Sequence, residues 1–131
     1  MDIIDVTCAV IIRKGRILAV QRGDQMSRPG KWEFPGGKIE KGETKEQCIV
    51  REIREELDTD IAVKEWMEPV VHHYPDISIR LLPCIAEIIS GEIKLKEHSS
   101  FKWIPKDNLS MPDWADADIG VVQQAISRSS L

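Results

Sequence analysis

The feature that most constrains this chain is an acidic segment, 44–57, whose pattern predicts a helix. Thr44 opens a capping-box pattern, in which a side-chain oxygen accepts a bond from a free N–H of the first turn. Glu52, Glu55 and Glu56 then stand at i, i+3 and i+4, so their side chains leave the helix on one side. An apolar stripe at four-residue steps runs beside that side and predicts the buried face: Ile49, Ile53 and Leu57.

Three carboxylates on one side of a helix repel one another, and the pKa of each rises unless a cation compensates. Hard divalent cations prefer carboxylate oxygens, and Mg2+ takes a few of them together with phosphate and water. Upstream, Gly36 and Gly37 let the backbone approach closely and offer a carbonyl to the same ion. The alternative is a solvated acidic face with Arg51 and Arg54 as surface partners, which the glutamates alone would favour.

The complete spacing resembles the signature of the Nudix hydrolases, G-x5-E-x7-R-E-U-x-E-E-x-G-U, where U is a bulky aliphatic residue. The matching positions are Gly37, Glu43, Arg51, Glu52, Ile53, Glu55 and Glu56. Two positions at the helix end depart, because Asp58 stands for the family's Gly and Thr59 for its aliphatic residue. We expect these departures to affect the helix C-terminus rather than the chemistry, since Asp tolerates the left-handed conformation.

Outside this signature the chain is similar to the MutT-type branch of the family, which includes cytidine-nucleotide pyrophosphohydrolases. The segments that carry the similarity are Gln21-Arg22, 32–40, Glu97, Trp103 and Ala117-Asp118. The resemblance implies one domain over 1–131, with the Nudix α/β/α sandwich around a mixed sheet. It also implies hydrolysis of nucleoside triphosphates to monophosphate and pyrophosphate, with Mg2+ or Mn2+ as cofactor.

The same resemblance assigns the metal ligands and their supports. The implied ligands are Gly36 or Gly37 through a carbonyl, and Glu52, Glu55, Glu56 and Glu97. Glu43 and Arg51 are expected to fasten the loop to the helix and hold the carboxylates in place. Glu52 is our expected general base, or the residue that holds the water attacking the β phosphorus. For Glu97 the alternative is an ordinary exposed glutamate in a charged run.

Five residues are expected to bind the substrate: Arg22, Phe34, Lys38, Arg80 and Asp118. The three basic residues are candidates for phosphate contacts, and Phe34 for a wall of the base pocket. The Asp118 carboxylate accepts hydrogen bonds, which favours an exocyclic amino group such as cytosine N4, or a guanine-type N–H edge. The alternatives are solvent-facing charges, a plain core residue for Phe34, and for Asp118 an acid stabilised by the helix dipole.

Hydrophobic patterning predicts the remaining elements. Strands are expected at 7–13, 16–21, 32–34, 61–67 and 101–104, with one or two more between 77 and 89. Pro83 in the last of these segments indicates an edge strand or a bulge. A second helix is predicted over 116–128, with this buried stripe: Ile119, Val122 and Ile126. Together the elements indicate an α+β or mixed α/β fold.

Composition limits the function classes. Lys and Arg total 18 against 22 Asp and Glu, which gives a net charge of -4. This negative charge argues against a protein that coats nucleic acid. Cys8, Cys48 and Cys84 are too few for a disulfide framework and indicate a reducing compartment. The first residues are acidic where a signal peptide needs bases, and no apolar run approaches the ~18 residues of a membrane span. We therefore expect a cytoplasmic monomer or homodimer that acts on a small nucleotide, without nucleic-acid or membrane partners.

The substrate class has more than one candidate at this point. Oxidised nucleotides such as 8-oxo-dGTP, and CTP or modified dCTP, fit a role in nucleotide-pool sanitation and DNA repair. The same fold would also serve a dinucleoside polyphosphate or ADP-ribose hydrolase, or an inactive nucleotide-binding module. The three helix glutamates argue against the inactive module, because a domain without activity has no need to gather mutually repelling carboxylates.

Overall fold

A mixed β-sheet organises the part of the chain that the computed structural model describes, residues 2–128 and 131. Its strands are β1 (Ile3–Arg13), β2 (Arg16–Gln21), β3 (Trp32–Glu33), β4 (Gly36–Lys38), β5 (Asp60–Trp66), β6 (Val70–His73), β7 (Ser78–Ser90) and β8 (Ser100–Pro105). The α-helices are α1 (Lys45–Leu57) and α2 (Asp116–Ser127), and a 3-10 turn covers Lys106–Asn108. Within these described residues no helix is long and apolar enough to cross a bilayer.

The strands follow the order β3-β2-β1-β7-β5, while β4 pairs with β1, β6 with β7 and β8 with β2. The central strands β1 and β7 are parallel, and their neighbours join them antiparallel. Successive residues of β1 face opposite sides of the sheet. Ala9 and Ile11 pack with α1 in one buried cluster, whereas Cys8 and Val10 pack with α2 in the other. The sheet therefore lies between the two helices, which confirms the predicted sandwich and its mixed α/β class.

Sheet boundaries differ from the sequence prediction in the central region. The first strand begins at Ile3 rather than residue 7, and the segment 77–89, expected to hold one or two strands, forms a single strand. Strand β6 was not predicted at all. Its four residues pair with β7 but carry too few apolar residues to signal a strand locally.

Pro83 lies within the central strand β7, so the prediction of an edge strand is wrong. On one side it pairs in register with Cys8 of β1. On its other side the antiparallel partner of β7 changes, from β6 opposite Leu81 to β5 opposite Cys84. Met67, between those two strands, donates its N–H to the Pro83 carbonyl at 2.8 Å. A strand residue directs its N–H and C=O to the same edge, so the missing N–H of Pro83 faces this break in the pairing.

Helix α2 buries a different stripe from the one predicted. Ile119 and Ile126 are each 43% exposed, and only Val122 of the predicted set is buried. The buried positions are Ala117, Asp118, Val121, Val122 and Ala125. Small side chains on this face let the helix lie close to the sheet, which turns the larger isoleucines outward.

Helix α1 forms as its capping pattern predicts. The Gln47 N–H donates to Thr44 Oγ1 at 3.1 Å, and the Thr44 N–H donates to Gln47 Oε1 at 2.9 Å. At the other end Asp58 adopts the left-handed conformation, with φ 57° and ψ 34°, and its N–H donates to the Arg54 carbonyl. The expectation that Asp accepts the position of the family's Gly is thus confirmed, and the helix keeps its length.

Thr59, the second departure from the signature, takes the buried place of an aliphatic residue. It is 1% exposed, and its Oγ1 has no hydrogen-bond partner in the described part of the chain. A buried hydroxyl without a partner loses its bonds to water and gains none in exchange. This position therefore lowers the stability of the native fold.

We expect Thr59→Val to raise the free energy of unfolding by about 1 kcal/mol, because it removes an unpaired hydroxyl and keeps the side-chain shape. Urea denaturation followed by circular dichroism measures the change.

The matched control is Thr7→Val, at a threonine that is also fully buried. Thr7 Oγ1 donates to the Gly37 carbonyl at 3.1 Å, so the same substitution there should lower the free energy of unfolding. Equal changes in the two variants would contradict the assignment of Thr59 as the unpaired hydroxyl.

Candidate active site

The acidic side of α1 packs directly against strand β4. The Gly36 N–H donates to Glu56 Oε1 at 3.1 Å. A Cβ atom at Gly37 would lie 2.3 Å from the Glu52 carboxyl carbon, and one at Gly36 would lie 2.0 Å from the Thr7 carbonyl oxygen. At Gly36 the obstacle is the backbone of β1, so only glycine fits there and allows the close approach, whereas at Gly37 the obstacle is the end of the flexible Glu52 side chain.

Arg51 is the cation that organises the helix carboxylates. Its Nε lies 2.5 Å from Glu43 Oε2 and its Nη2 2.9 Å from Glu43 Oε1, a two-pronged pair that ties the 38–43 loop to α1. Arg51 lowers the pKa of Glu43 to about 2, and Glu43 in turn raises the pKa of Arg51. The remaining nitrogen, Nη1, lies 2.8 Å from Glu52 Oε1 and 3.2 Å from Glu55 Oε2.

Glu56 is the carboxyl group of this cluster whose ionisation is least favoured. It is 7% exposed, and burial raises its pKa to about 9, with the negative charges of Glu33 and Glu52 adding to the effect. Burial also raises the pKa of Glu52, against the opposing influence of Arg51. Glu97 is exposed, and its charge adds the smallest contribution to the raised pKa of both residues, so it lies within electrostatic reach of the cluster.

The described residues, 2–128 and 131, contain no three His, Cys, Asp or Glu side chains already gathered around one point as metal ligands. Arg51 draws Glu52 and Glu55 to itself, and Glu56 turns to the Gly36 N–H. The donor set still fits a hard divalent cation, because it consists of oxygens. A buried carboxylate crowded by like charges is also the group that a cation would relieve most.

One cavity of about 220 Å³ is lined both by residues of this cluster and by residues around the start of helix α2. From the cluster it is lined by Gly36, Gly37 and Glu56. Its other lining residues include Phe34, Asp118, Tyr74, Ala115 and Ala117, with Arg22 and Glu33. The structure thus brings an anionic, metal-compatible group and aromatic side chains to the same cavity.

Phe34 and Asp118 are in contact and both line the cavity. The Phe34 ring stacks on Trp114 with centroids 4.6 Å apart, and its N–H donates to Asp118 Oδ2 at 2.9 Å. Burial, followed by the charge of Glu33, raises the pKa of Asp118 well above its usual range. The sequence analysis treated this group as a carboxylate, whereas its surroundings favour the neutral acid, which can donate as well as accept.

The predicted phosphate-contacting residues are placed differently from one another. Arg22 lines the cavity, where its Nη1 lies 2.6 Å from Glu33 Oε1. Lys38 is exposed and does not line it. Arg80 stands between two cavity-lining residues of β7, Ile79 and Leu81, so strand alternation turns it away. It makes a two-pronged ion pair with Asp5 instead, at 2.7 and 2.9 Å.

Sequence reasoning missed Glu33 and His98, and it gave Tyr74 no role in this site because the signal for that residue was weak. Glu33 pairs with Arg22 and with the buried His98, whose Nε2 lies 2.8 Å from Glu33 Oε2. The signal for Glu33 was a charge between Trp32 and Phe34 in a short apolar strand. Tyr74 accepts the Ala117 N–H at 2.9 Å on its hydroxyl oxygen, a contact across 43 residues that sequence does not show.

Comparison with known proteins identifies the family of the chain. The NUDIX domain family profile matches residues 2–125. A CTP pyrophosphohydrolase from Escherichia coli strain K12 is 37% identical over 127 residues, covering 94% of this chain and 91% of that protein. An 8-oxo-dGTP diphosphatase from the same strain is 34% identical over 106 residues, covering 81% of this chain and 82% of that protein.

Solved structures share the fold as well. The crystal structure of a MutT NUDIX hydrolase from Burkholderia pseudomallei matches with a TM-score of 0.82 and 28% identity, covering 95% of this chain and 98% of that one. The profile, the relatives and the fold agree, and the chain therefore belongs to the NUDIX family as a Nudix hydrolase of the MutT type.

Proposed function

We propose that this hydrolase cleaves nucleoside triphosphates to nucleoside monophosphate and pyrophosphate, and that it requires Mg2+, with Mn2+ as a substitute. The observation that supports this most directly is the cavity itself. Its lining includes the buried Glu56 against a glycine pair, and also Asp118, whose pKa is raised by burial, beside the Phe34 ring. A polyphosphate bound through a cation fits the glutamate and the glycine pair, and a base fits Asp118 and Phe34.

The proposed cation ligands are Glu52, Glu55, Glu56, Glu97 and a carbonyl of Gly36 or Gly37. When bound, the cation supplies positive charge that attracts a polyphosphate and stabilises the charge developing in hydrolysis. Glu55 is the most exposed of the three helix glutamates. Its side chain therefore needs only to release Arg51 to turn toward the cluster.

The chain's own residues perform the positioning and proton transfer. Arg51 and Glu43 hold the 38–43 loop on α1 and keep the carboxylates from separating. Glu52 is our proposed general base for the water that attacks the β phosphorus. Its half-buried setting raises its pKa toward the working pH, which suits a group that must accept a proton. Arg22 is the proposed phosphate contact, and Lys38 and Arg80 are not part of the proposal.

At the base end, Asp118 in its neutral form presents a donor beside an acceptor. Cytosine offers the complementary pair at N4 and N3, and 8-oxo-guanine offers a donor beside an acceptor on its N1 edge. Phe34 supplies an apolar wall. The relatives that act on CTP and on 8-oxo-dGTP support the same two substrate types, and we place CTP or modified dCTP first because that relative covers more of the chain.

The proposed setting is the cytoplasm, where a single-domain monomer or homodimer serves nucleotide-pool sanitation without nucleic-acid or membrane partners. Three free, buried cysteines support a reducing compartment. The excess of acidic residues supports a small substrate over a nucleic acid.

A panel of CTP, 5-methyl-dCTP, 8-oxo-dGTP, dinucleoside polyphosphate and ADP-ribose tests the proposal. We expect monophosphate and pyrophosphate from the triphosphates with Mg2+, and no hydrolysis after chelation with EDTA. The ranking by kcat/KM identifies the substrate. Mononucleotide with ribose phosphate or a nucleoside triphosphate as the principal product would overturn the assignment.

Glu52→Gln should lower kcat by at least about 100-fold while the melting temperature stays the same, because a general base is lost without loss of volume. The matched control is Glu46→Gln, in the first turn of the same helix and exposed to solvent, which should leave kcat unchanged. Unaltered turnover in Glu52→Gln would remove this residue from the mechanism.

Asp118→Asn tests the neutral acid through the pH dependence of stability. With its pKa raised above the usual 3.8, Asp118 holds its proton in the native state at pH values where the unfolded chain has lost it. Native stability therefore falls as pH rises above about 4. We expect Asn to remove this slope, so that its gain in free energy of unfolding is larger at pH 8 than at pH 5. A uniform gain would contradict the neutral state.

A further inference from the structure

We propose that His98 is a positioning residue that holds the Glu97 segment against the acidic side of α1. This inference rests on the proposed role of Glu97 as a cation ligand. The His98 side chain is fully buried, at 0% exposure, and its Nε2 lies 2.8 Å from Glu33 Oε2. Its neighbour Glu97 is exposed, so the two side chains leave the backbone in different directions.

The backbone of this segment is tied to the helix end on one side. The Lys94 N–H donates to the Leu57 carbonyl at 2.9 Å, and the Lys96 N–H donates to the Glu56 carbonyl at 3.1 Å. These carbonyls belong to the last turn of α1 and have no partner within the helix. The residues just before Glu97 therefore follow the end of the helix that carries Glu56.

On the other side the segment is tied to the backbone on either side of Arg22. The Ser99 N–H donates to the Gln21 carbonyl at 3.0 Å. A Cβ atom at Gly23 would lie 2.9 Å from the Glu97 carbonyl oxygen, so the two backbones pass in close contact there. Backbone bonds thus fix both sides of Glu97, and His98 supplies the side-chain bond between them.

The direction of the His98 bond follows from its second nitrogen. Nδ1 is buried and has no hydrogen-bond partner in residues 2–128 and 131. A proton on Nδ1 would be an unpaired buried donor, so the proton belongs on Nε2, which donates to Glu33. Glu33 is itself held by Arg22 at 2.6 Å, and it does not move freely to follow His98.

Glu33 lines the same cavity as Glu56 and Asp118. The hydrogen bond that His98, the neighbour of Glu97, donates to Glu33 therefore positions the Glu97 segment relative to this cavity. Loss of that donor loosens the segment between its two backbone ties, without removing a proposed cation ligand or substrate contact.

The test is a double-substitution cycle read by Mn2+ binding without nucleotide, followed by electron paramagnetic resonance. His98→Leu fills the buried space without a donor, and Glu97→Gln removes the carboxylate. We expect each to weaken Mn2+ binding by about 10-fold or more, as is usual for residues that support metal ligands. The double variant should bind no more weakly than Glu97→Gln, because both changes remove the same contribution.

Rescue separates positioning from mere structural support. His98→Gln restores a donor that can reach Glu33, and we expect it to recover most of the Mn2+ affinity. His98→Asn is too short to reach Glu33, keeps the site polar, and replaces the leucine variant if that one does not fold. His73→Gln, at an exposed histidine, is the matched control and should leave binding unchanged.

Additive losses, or equal affinity in His98→Leu and the parent protein, would overturn the proposal, and so would a Glu97→Gln variant that binds Mn2+ normally. The proposed function fails separately, if the parent protein hydrolyses no nucleoside triphosphate while the binding cycle behaves as expected. With Mg2+ and substrate, His98→Leu should lower kcat more than it raises KM.

Discussion

The fold depends on one close approach, that of helix α1 to strand β4. The backbone of β1 leaves no space for a Cβ at Gly36, and the Gly36 N–H reaches a carboxylate oxygen of Glu56. The approach forces acidic side chains into a setting where their charges are costly. The parallel pair of β1 and β7 supplies the rigid platform, because β4 is anchored to β1. The same close approach of α1 to β4 therefore determines both the stability of this region and its affinity for a cation.

Arg51 explains how the chain folds with such a cluster. The guanidinium contacts Glu43, Glu52 and Glu55 at once, and it neutralises part of the repulsion from within the helix. It does not reach Glu56, which keeps a pKa of about 9. Arg51 thus compensates the charges of the carboxylates that it contacts, and Glu56 is left for a cation from outside the protein. The helix therefore needs Arg51 as much as it needs the glutamates, because Arg51 reduces the repulsion between their charges.

Local signals predicted the parts of the structure that are local in origin. The capping box, the stripe of α1 and the position of its glutamates depend on spacings of three and four residues, and all lie where the sequence places them. The failures involve contacts between distant segments. The exposed Ile119, the interior Pro83 and the Asp5 pair of Arg80 each depend on which element packs beside them. The protonation of Asp118 depends on burial, which no local pattern reveals.

The positions of the acidic residues change how their excess over basic residues is interpreted. The net charge is -4, yet only a few of the acidic residues form this cluster, and they lie beside the glycine backbone of β4. Burial raises the pKa of Asp118 and the charge of Glu33 adds to the effect, as it does at Glu56, so one carboxylate disfavours ionisation at both places. The phosphates of the proposed nucleotide substrate need a positive partner, and its uncharged base can bind to a neutral acid through hydrogen bonds. The partly buried Glu33 would therefore act on both parts of the proposed site through its field rather than through contact.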